Sequence, residues 1–308
     1  MKDYKIFEIY PHFSCNQKCI HCFNGEDFRK NNKGLSFEKI SKSLFKMRKK
    51  GCDWLSILGG EPTVYSDIFK TLSLAKKLGY ERIMTFSNGI KYSDFSFAKR
   101  MKEEGLTDTC ISVHGDSAEL HEFITQVKGS FKAVLKAVEN LKKLKINITF
   151  IIVINRRNYK FLPRMVKKFV SLGVKNYMIF ALKYQGRMSA SGYKQAAVNL
   201  SEAFSKIDET FKIFNKNNLK FPTLLHVTPC ILPKYHKNLD NYKPKESSML
   251  IQDGKEYGLK SAHKGFMFLS SCRQCVFYDG CSGFDPGYAK IFGTKEFKPV
   301  KKLKRVSF

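Results

Sequence analysis

The chain has 308 residues, 43% of them hydrophobic, which is ample for a packed interior and predicts a soluble globular protein. Its 55 Lys and Arg against 27 Asp and Glu would suit a polyanionic partner. The cations are spread over helix faces (Lys49-Lys50, Lys142-Lys143, Lys167-Lys168), so solvated faces are the competing reading, and only residues 298–305 form a dense basic run. No segment approaches the roughly 18 uninterrupted apolar residues that cross a bilayer, because the run at residues 150–154 ends at Asn155, and the start lacks an apolar signal core. A cytoplasmic protein without a membrane-spanning helix is expected, where clustered cysteines more often bind metal than pair as disulfides.

In chain order, short β-rich runs alternate with longer stretches of helical period. Strands are expected at residues 5–10, 54–58, 82–86, 108–113, 147–153 and 175–181. Helices are expected at residues 37–49, 67–78, 94–104, 131–144, 159–172 and 202–215. Ser36, Ser66, Ser130, Asn158 and Ser201 stand where N-caps belong, and Gly51, Gly79, Gly105 and Gly173 where left-handed stops belong. Six strands joined by helices imply parallel pairing through right-handed crossovers, an α/β fold of the partial (β/α)6 TIM-like barrel type. The alternation stops near residue 219. Residues 1–219 are therefore read as the barrel, and residues 220–308, with few regular elements, as a small cysteine-rich appendage stapled by metal.

In such a fold ligands collect beyond the carboxyl ends of the strands. The first strand runs into Cys15-Asn16-Gln17-Lys18-Cys19-Ile20-His21-Cys22. Three thiolates wrapped closely on a loop can hold a 4Fe-4S cluster and leave one iron for an outside ligand. Zinc is the alternative, and it would need a fourth ligand such as His12 or His21. The second strand runs into Gly59-Gly60-Glu61-Pro62, whose glycines allow close backbone approach; the third into Ser87-Asn88-Gly89; the fourth into Ser112-Val113-His114-Gly115. Asn-Gly can also close a hairpin, but the segment after it reads helical.

Together these motifs resemble the radical S-adenosylmethionine (radical SAM) enzymes. The resemblance covers residues 6–188. It implies that Cys15, Cys19 and Cys22 hold a 4Fe-4S cluster whose open iron is chelated by S-adenosylmethionine. It further implies that Gly59, Gly60, Glu61 and Pro62 seat the methionine end, and that Asn88, Ser112 and His114 contribute to cofactor binding, the last two at the ribose. Asn155 and Arg187 are added candidates. The implied chemistry is reductive cleavage of the cofactor to a 5′-deoxyadenosyl radical that abstracts hydrogen from a substrate. An acidic electron donor such as a flavodoxin or ferredoxin is expected.

The remaining cysteines divide. Cys272-Arg273-Gln274-Cys275 with Cys281, and Cys230 upstream, resemble the auxiliary cluster regions called SPASM and twitch; a full SPASM pattern would have another Cys where Asp285 stands, so one auxiliary cluster is expected rather than two. A four-thiolate zinc cage competes with it. Cys52 and Cys110 are read as small buried hydrophobes. Relatives with auxiliary clusters frequently modify peptides or mature other proteins, which makes a peptide or protein the expected substrate, although no N-terminal peptide-recognition domain is evident. RNA or a small molecule is the enzymatic alternative, and a non-enzymatic zinc-binding adaptor the alternative of another class.

Overall fold

A computed structural model describes residues 5–24, 34–184, 193–240, 248–252, 255–258 and 266–303. They form two compact units. One contains residues 5–19, 24, 34–151 and the segments 248–252 and 255–258; the other contains residues 20–23, 152–184, 193–240 and 266–303.

In the first unit, strands β1 (Ile6–Ile9), β2 (Trp54–Ile57), β3 (Arg82–Ser87) and β4 (Asp108–Ser112) pair parallel in chain order, and β4 pairs parallel with residues 147–151 of β5 (Asn147–Val153). On its other side β1 pairs parallel with β8 (Ser248–Gln252), which turns back antiparallel into β9 (Lys255–Gly258). Parallel strands covered on both faces need near-continuous apolar runs, and β2 and β4 are buried at nearly every residue.

The crossovers are α1 (Phe37–Lys49), α2 (Ile68–Lys77), α3 (Phe95–Glu103), α4 (Ala118–Thr125) and α5 (Ser130–Lys143). Apolar residues at spacings of three and four put one stripe of each helix against the sheet: Ile40, Leu44 and Met47 in α1, and Val134, Ala137, Val138 and Leu141 in α5. Each fully buried Leu, Ile or Met of this kind contributes roughly 1.5–3 kcal/mol. Ser36 caps α1 through the Lys39 N–H, and Asp94 caps α3. The four glycine stops all have positive φ, from 79° to 120°.

In the second unit, the last residues of β5 are followed by α6 (Leu162–Ser171), β6 (Asn176–Phe180), α7 (Tyr193–Ala196), α8 (Leu200–Ala203), α9 (Ile207–Lys216) and β7 (Thr223–Leu225), which pairs parallel with β6. The Ile154 N–H donates to the Phe180 carbonyl at 2.8 Å. The C-terminal helix is α10 (Pro286–Phe292).

The six expected strands and the α/β partial-barrel class are present. Several boundaries differ. The helix expected at residues 202–215 is two helices, α8 capped by Asn199 and α9 beginning at Ile207. The cap expected at Ser66 falls at Asp67 without a side-chain bond, and Ser130 lies inside α5 with its hydroxyl on Thr125 at 2.9 Å. Asn158 turns its side chain back to β5 instead of capping α6. The short α4, β7 and the β8–β9 hairpin were not foreseen, being too brief to establish a period. Among the described residues no helix is long and apolar enough to cross a membrane.

Candidate cofactor site and cysteine pocket

At the carboxyl ends of β1, β2 and β3, main chain packs on main chain. The Gly60 N–H donates to the His12 carbonyl at 2.9 Å and the Glu61 N–H to the Ser14 carbonyl at 2.8 Å. A Cβ on Gly59 would lie 2.3 Å from the His12 carbonyl oxygen, and one on Gly60 2.1 Å from that of Ser14. Only glycine permits this approach, so the Gly-Gly pair sets the path by which β1 enters the cysteine loop. His12 adds a side-chain tie, donating from Nε2 to the Glu61 carbonyl at 3.1 Å, and burial holds its pKa below the usual histidine value.

Glu61 is buried, and its carboxylate joins two loops. It accepts from the Thr63 hydroxyl at 2.6 Å, the Thr63 N–H at 3.1 Å, the Ser87 hydroxyl at 2.8 Å and the Asn88 N–H at 2.6 Å. Burial pushes its pKa up and the four donors oppose that push. A carboxylate with this many donors is a strong internal clamp. The main chain around Gly59 to Pro62 is thus tied to both neighbouring loops.

Asn88 reaches the cysteine loop. Its Nδ2 donates to Asn16 Oδ1 at 2.6 Å and lies 3.8 Å from Cys15 Sγ, while the Gln17 N–H donates to the same sulfur at 3.4 Å. Cys19 Sγ is 3.4 Å from Gln17 Oε1 and the Lys18 N–H is anchored on the Thr125 carbonyl at 3.1 Å. Cys22 follows three residues along the same loop. Partly exposed, reduced cysteines on irregular backbone, with amide donors aimed at sulfur, suit a thiolate-ligated iron-sulfur cluster. Burial holds His21 down to about 4, so its ring is neutral.

At the end of β4, Ser112 is half-buried and His114 buried; the His114 N–H donates to His121 Nδ1 at 3.3 Å, and the two rings lie 5.6 Å apart. Asn155, in the second unit, folds its side chain into its own turn, accepting from the Arg157 N–H at 2.9 Å and donating to the Val153 carbonyl at 3.2 Å. Arg187 lies outside the described residues. Asn24, whose Nδ2 holds the Gly59 carbonyl at 3.0 Å, and Thr63 escaped the sequence reading, because a single Asn or Thr on a loop has no spacing signal.

In the second unit Cys230, Cys272, Cys275 and Cys281 line one pocket of about 400 Å³, partly open to solvent, with Phe268 and Phe277. Burial pushes the Cys230 thiol up to about 11, and Cys281, Cys275 and Cys272 add to the effect; Cys281 is raised for the same reasons. Hydrogen bonds already point at sulfur: Thr228 Oγ1 is 3.2 Å from Cys230, and the N–H groups of Gly283 and Val300 donate to Cys281 and Cys275 at 3.3 and 3.4 Å. Four convergent thiols with amide donors fit a thiophilic metal centre. Among the described residues no three His, Cys, Asp or Glu side chains close on a single ion. Cys52 and Cys110 are buried, and burial pushes Cys110 up to about 12, which leaves both as packing residues.

Parallel strands with a three-cysteine loop and a Gly-Gly-Glu-Pro turn at their carboxyl ends define a class. The Radical SAM superfamily profile matches residues 9–174, and the chain belongs to that superfamily of enzymes, which use a 4Fe-4S cluster and S-adenosylmethionine. Among its relatives, an AdoMet-dependent heme synthase of Oleidesulfovibrio alaskensis is 24% identical over 85% of this chain and 62% of its own length. A probable GTP 3',8-cyclase of Saccharolobus solfataricus is 30% identical over 55% of this chain and 54% of its own, and the mycofactocin maturase MftC of Mycolicibacterium smegmatis is 26% identical over 47% and 36%. The chain therefore spans 62% or less of the length of these curated relatives. In fold it is similar to Streptococcus suis SuiB bound to S-adenosylmethionine, with a TM-score of 0.69 at 14% identity, covering 96% of this chain and 76% of that one. It is also similar to anSMEcpe with bound AdoMet, with a TM-score of 0.64 at 17% identity, covering 95% of each chain.

Proposed function

We propose that this protein is a radical SAM enzyme that modifies a peptide or protein. When bound, the cluster and S-adenosylmethionine supply a 5′-deoxyadenosyl radical able to abstract an unactivated hydrogen. The observation that carries the reading is the joint between the cysteine loop and the Gly59-Gly60-Glu61-Pro62 turn, whose backbones are hydrogen-bonded directly to each other. In this assignment Cys15, Cys19 and Cys22 hold the cluster. The backbone from Gly59 to Pro62 receives the methionine ammonium, with Glu61 acting as a positioning residue through Thr63, Ser87 and Asn88. Asn88 steadies Cys15, Ser112 and His114 serve the ribose, and Asn155 and Arg187 remain further cofactor contacts. Residues 220–308 form an auxiliary region in which Cys230, Cys272, Cys275 and Cys281 hold one further cluster.

The peptide reading is supported by the fold likeness to SuiB, which has been seen with its precursor peptide SuiA, and by the relative named as a maturase. A tetrapyrrole is the second reading, because the relative that covers 85% of this chain is a heme synthase and another is an Fe-coproporphyrin III synthase of Methanosarcina barkeri. An acidic flavodoxin or ferredoxin as electron donor accords with the net charge of +28. RNA as substrate would require binding that falls steeply with salt.

Anaerobic reconstitution tests the assignment. The expected result is a brown protein with iron and sulfide for two clusters that forms 5′-deoxyadenosine when reduced. A colourless protein carrying zinc alone, with no 5′-deoxyadenosine, would overturn it in favour of a zinc-binding adaptor.

A further inference from the structure

Two N–H groups approach the Cys15 sulfur. The Gln17 N–H donates to it from within the cysteine loop at 3.4 Å, and Asn88 Nδ2, from the turn that follows β3, lies 3.8 Å away, a separation that the larger radius of sulfur admits for an N–H donor. A thiol sulfur is a weak acceptor and a thiolate a stronger one, so both contacts gain when Cys15 ionises to hold a metal.

The other partners of Asn88 fix which atom of its amide faces the sulfur. Oδ1 accepts from the Ile90 N–H at 3.1 Å, and Nδ2 donates to Asn16 Oδ1 at 2.6 Å. Exchanging oxygen and nitrogen would set two donors against each other at Ile90, so the nitrogen stands on the cysteine side. With one amide hydrogen on Asn16, the second serves Cys15. The main chain is held as firmly: the Asn88 N–H donates to Glu61 Oε2 at 2.6 Å, and Gly89, at φ +82°, turns the chain away directly after it. The residue is buried, which leaves its side chain little room to swing.

We propose that Asn88 sets the reduction potential of the centre held by Cys15, Cys19 and Cys22, raising it through its amide N–H to the Cys15 thiolate. The inference rests on the reading of the cysteine loop as the seat of a 4Fe-4S cluster and adds the side chain that tunes it. In reduction one electron passes to the cluster from an acidic flavodoxin or ferredoxin; no bond is made or broken and no proton moves. The added negative charge falls on iron and its sulfurs, where an N–H aimed at sulfur stabilises the reduced level more than the oxidised one. Asn88 touches a ligand and not the reacting atoms, so it is a positioning residue.

An EPR-monitored redox titration of the anaerobically reconstituted full chain, without S-adenosylmethionine, tests the proposal. Cys275→Ala in every sample removes the C-terminal cluster and leaves one centre to titrate. Asn88→Ser keeps a hydroxyl that can accept from the Ile90 N–H but loses the arm that reaches sulfur. It should lower the midpoint potential by about 40 mV, which makes one-electron reduction about fivefold less favourable. Asn88→Asp keeps the acceptor at Ile90, puts a carboxylate oxygen in place of the donor, and should lower the potential at least as far. Ser93→Ala removes a hydroxyl bond to the Ile90 carbonyl at 2.7 Å in the same turn, a bond that does not involve sulfur, and should leave the potential in place. A midpoint for Asn88→Ser that matches that of Ser93→Ala overturns the proposal. So does an Asn88→Ser protein that takes up no iron, which would assign the residue to assembly of the site. If the parent protein with Asn88 intact loads no cluster, the reading of the cysteine loop falls and the proposal with it, whereas a loaded cluster with an unmoved potential sinks the proposal alone.

Discussion

The two cysteine-bearing regions are built by different means. In the N-terminal unit the cysteine loop is held by backbone hydrogen bonds to Gly60 and Glu61 and by a buried carboxylate, all local to the ends of parallel strands. In the C-terminal unit the cysteines come from segments more than forty residues apart, and the pocket is walled by aromatic rings such as Phe284 stacked on Phe297 at 4.1 Å. A site made from strand ends inherits rigidity from the sheet. A site made from 3₁₀ turns and loops depends on its side-chain packing and on the metal it would hold.

The largest effect that separates the two regions is expected from single cysteine substitutions. Cys19→Ala should abolish 5′-deoxyadenosine formation, whereas Cys275→Ala should leave it within a few-fold and remove only the iron of one cluster; chromatography of the nucleoside and iron assays read both. If Cys19→Ala cleaves the cofactor undiminished, the assignment of the N-terminal loop is wrong.

Gly60→Ala comes next. Its methyl group would meet the Ser14 carbonyl at 2.1 Å, so the β1 and β2 loops must separate, with an expected loss of more than about 3 kcal/mol in urea unfolding and of cofactor cleavage together. Stability retained with full cleavage would show that the loops are not rigidly joined.

A pH effect of intermediate size belongs to the N-terminal unit. Burial holds His121 down to about 4, below its unfolded value near 6.5. The unfolded chain therefore binds the proton first, and the stability the neutral ring contributes is present above pH 6.5 and is lost as pH falls towards 4. From pH 7 to pH 5 the loss is roughly 2 kcal/mol for this group. His121→Gln, which can still accept from the His114 N–H, should flatten that slope in urea titrations at the two pH values.

The smallest effect expected is that of Asn24→Ala. It removes the donor to the Gly59 carbonyl at 3.0 Å and should cost about 1 kcal/mol, with weaker cofactor binding and unchanged properties of the four-cysteine pocket. A change in iron content at the C-terminal cysteines would break the independence of the two regions.

Much of the first unit was legible because its longer helices and its buried strands carry recognisable apolar patterns. Amphipathic stripes placed α1 at its observed limits, glycine stops fell where φ is positive, and each polar motif followed a strand. Where the chain departs from those patterns, the reading failed. The two-helix break between Ala203 and Ile207, the three-residue β7 and the turn-bound side chain of Asn155 leave no periodic trace.

By itself the amino-acid order determined the alternation of strand and helix and the spacing of the first three cysteines, since both are written in local sequence. Only the tertiary structure decided that Glu61 is clamped between two loops and that Cys230 joins three cysteines some forty residues on. Such contacts are set by how strands register and helices pack, and no window of neighbouring residues encodes them.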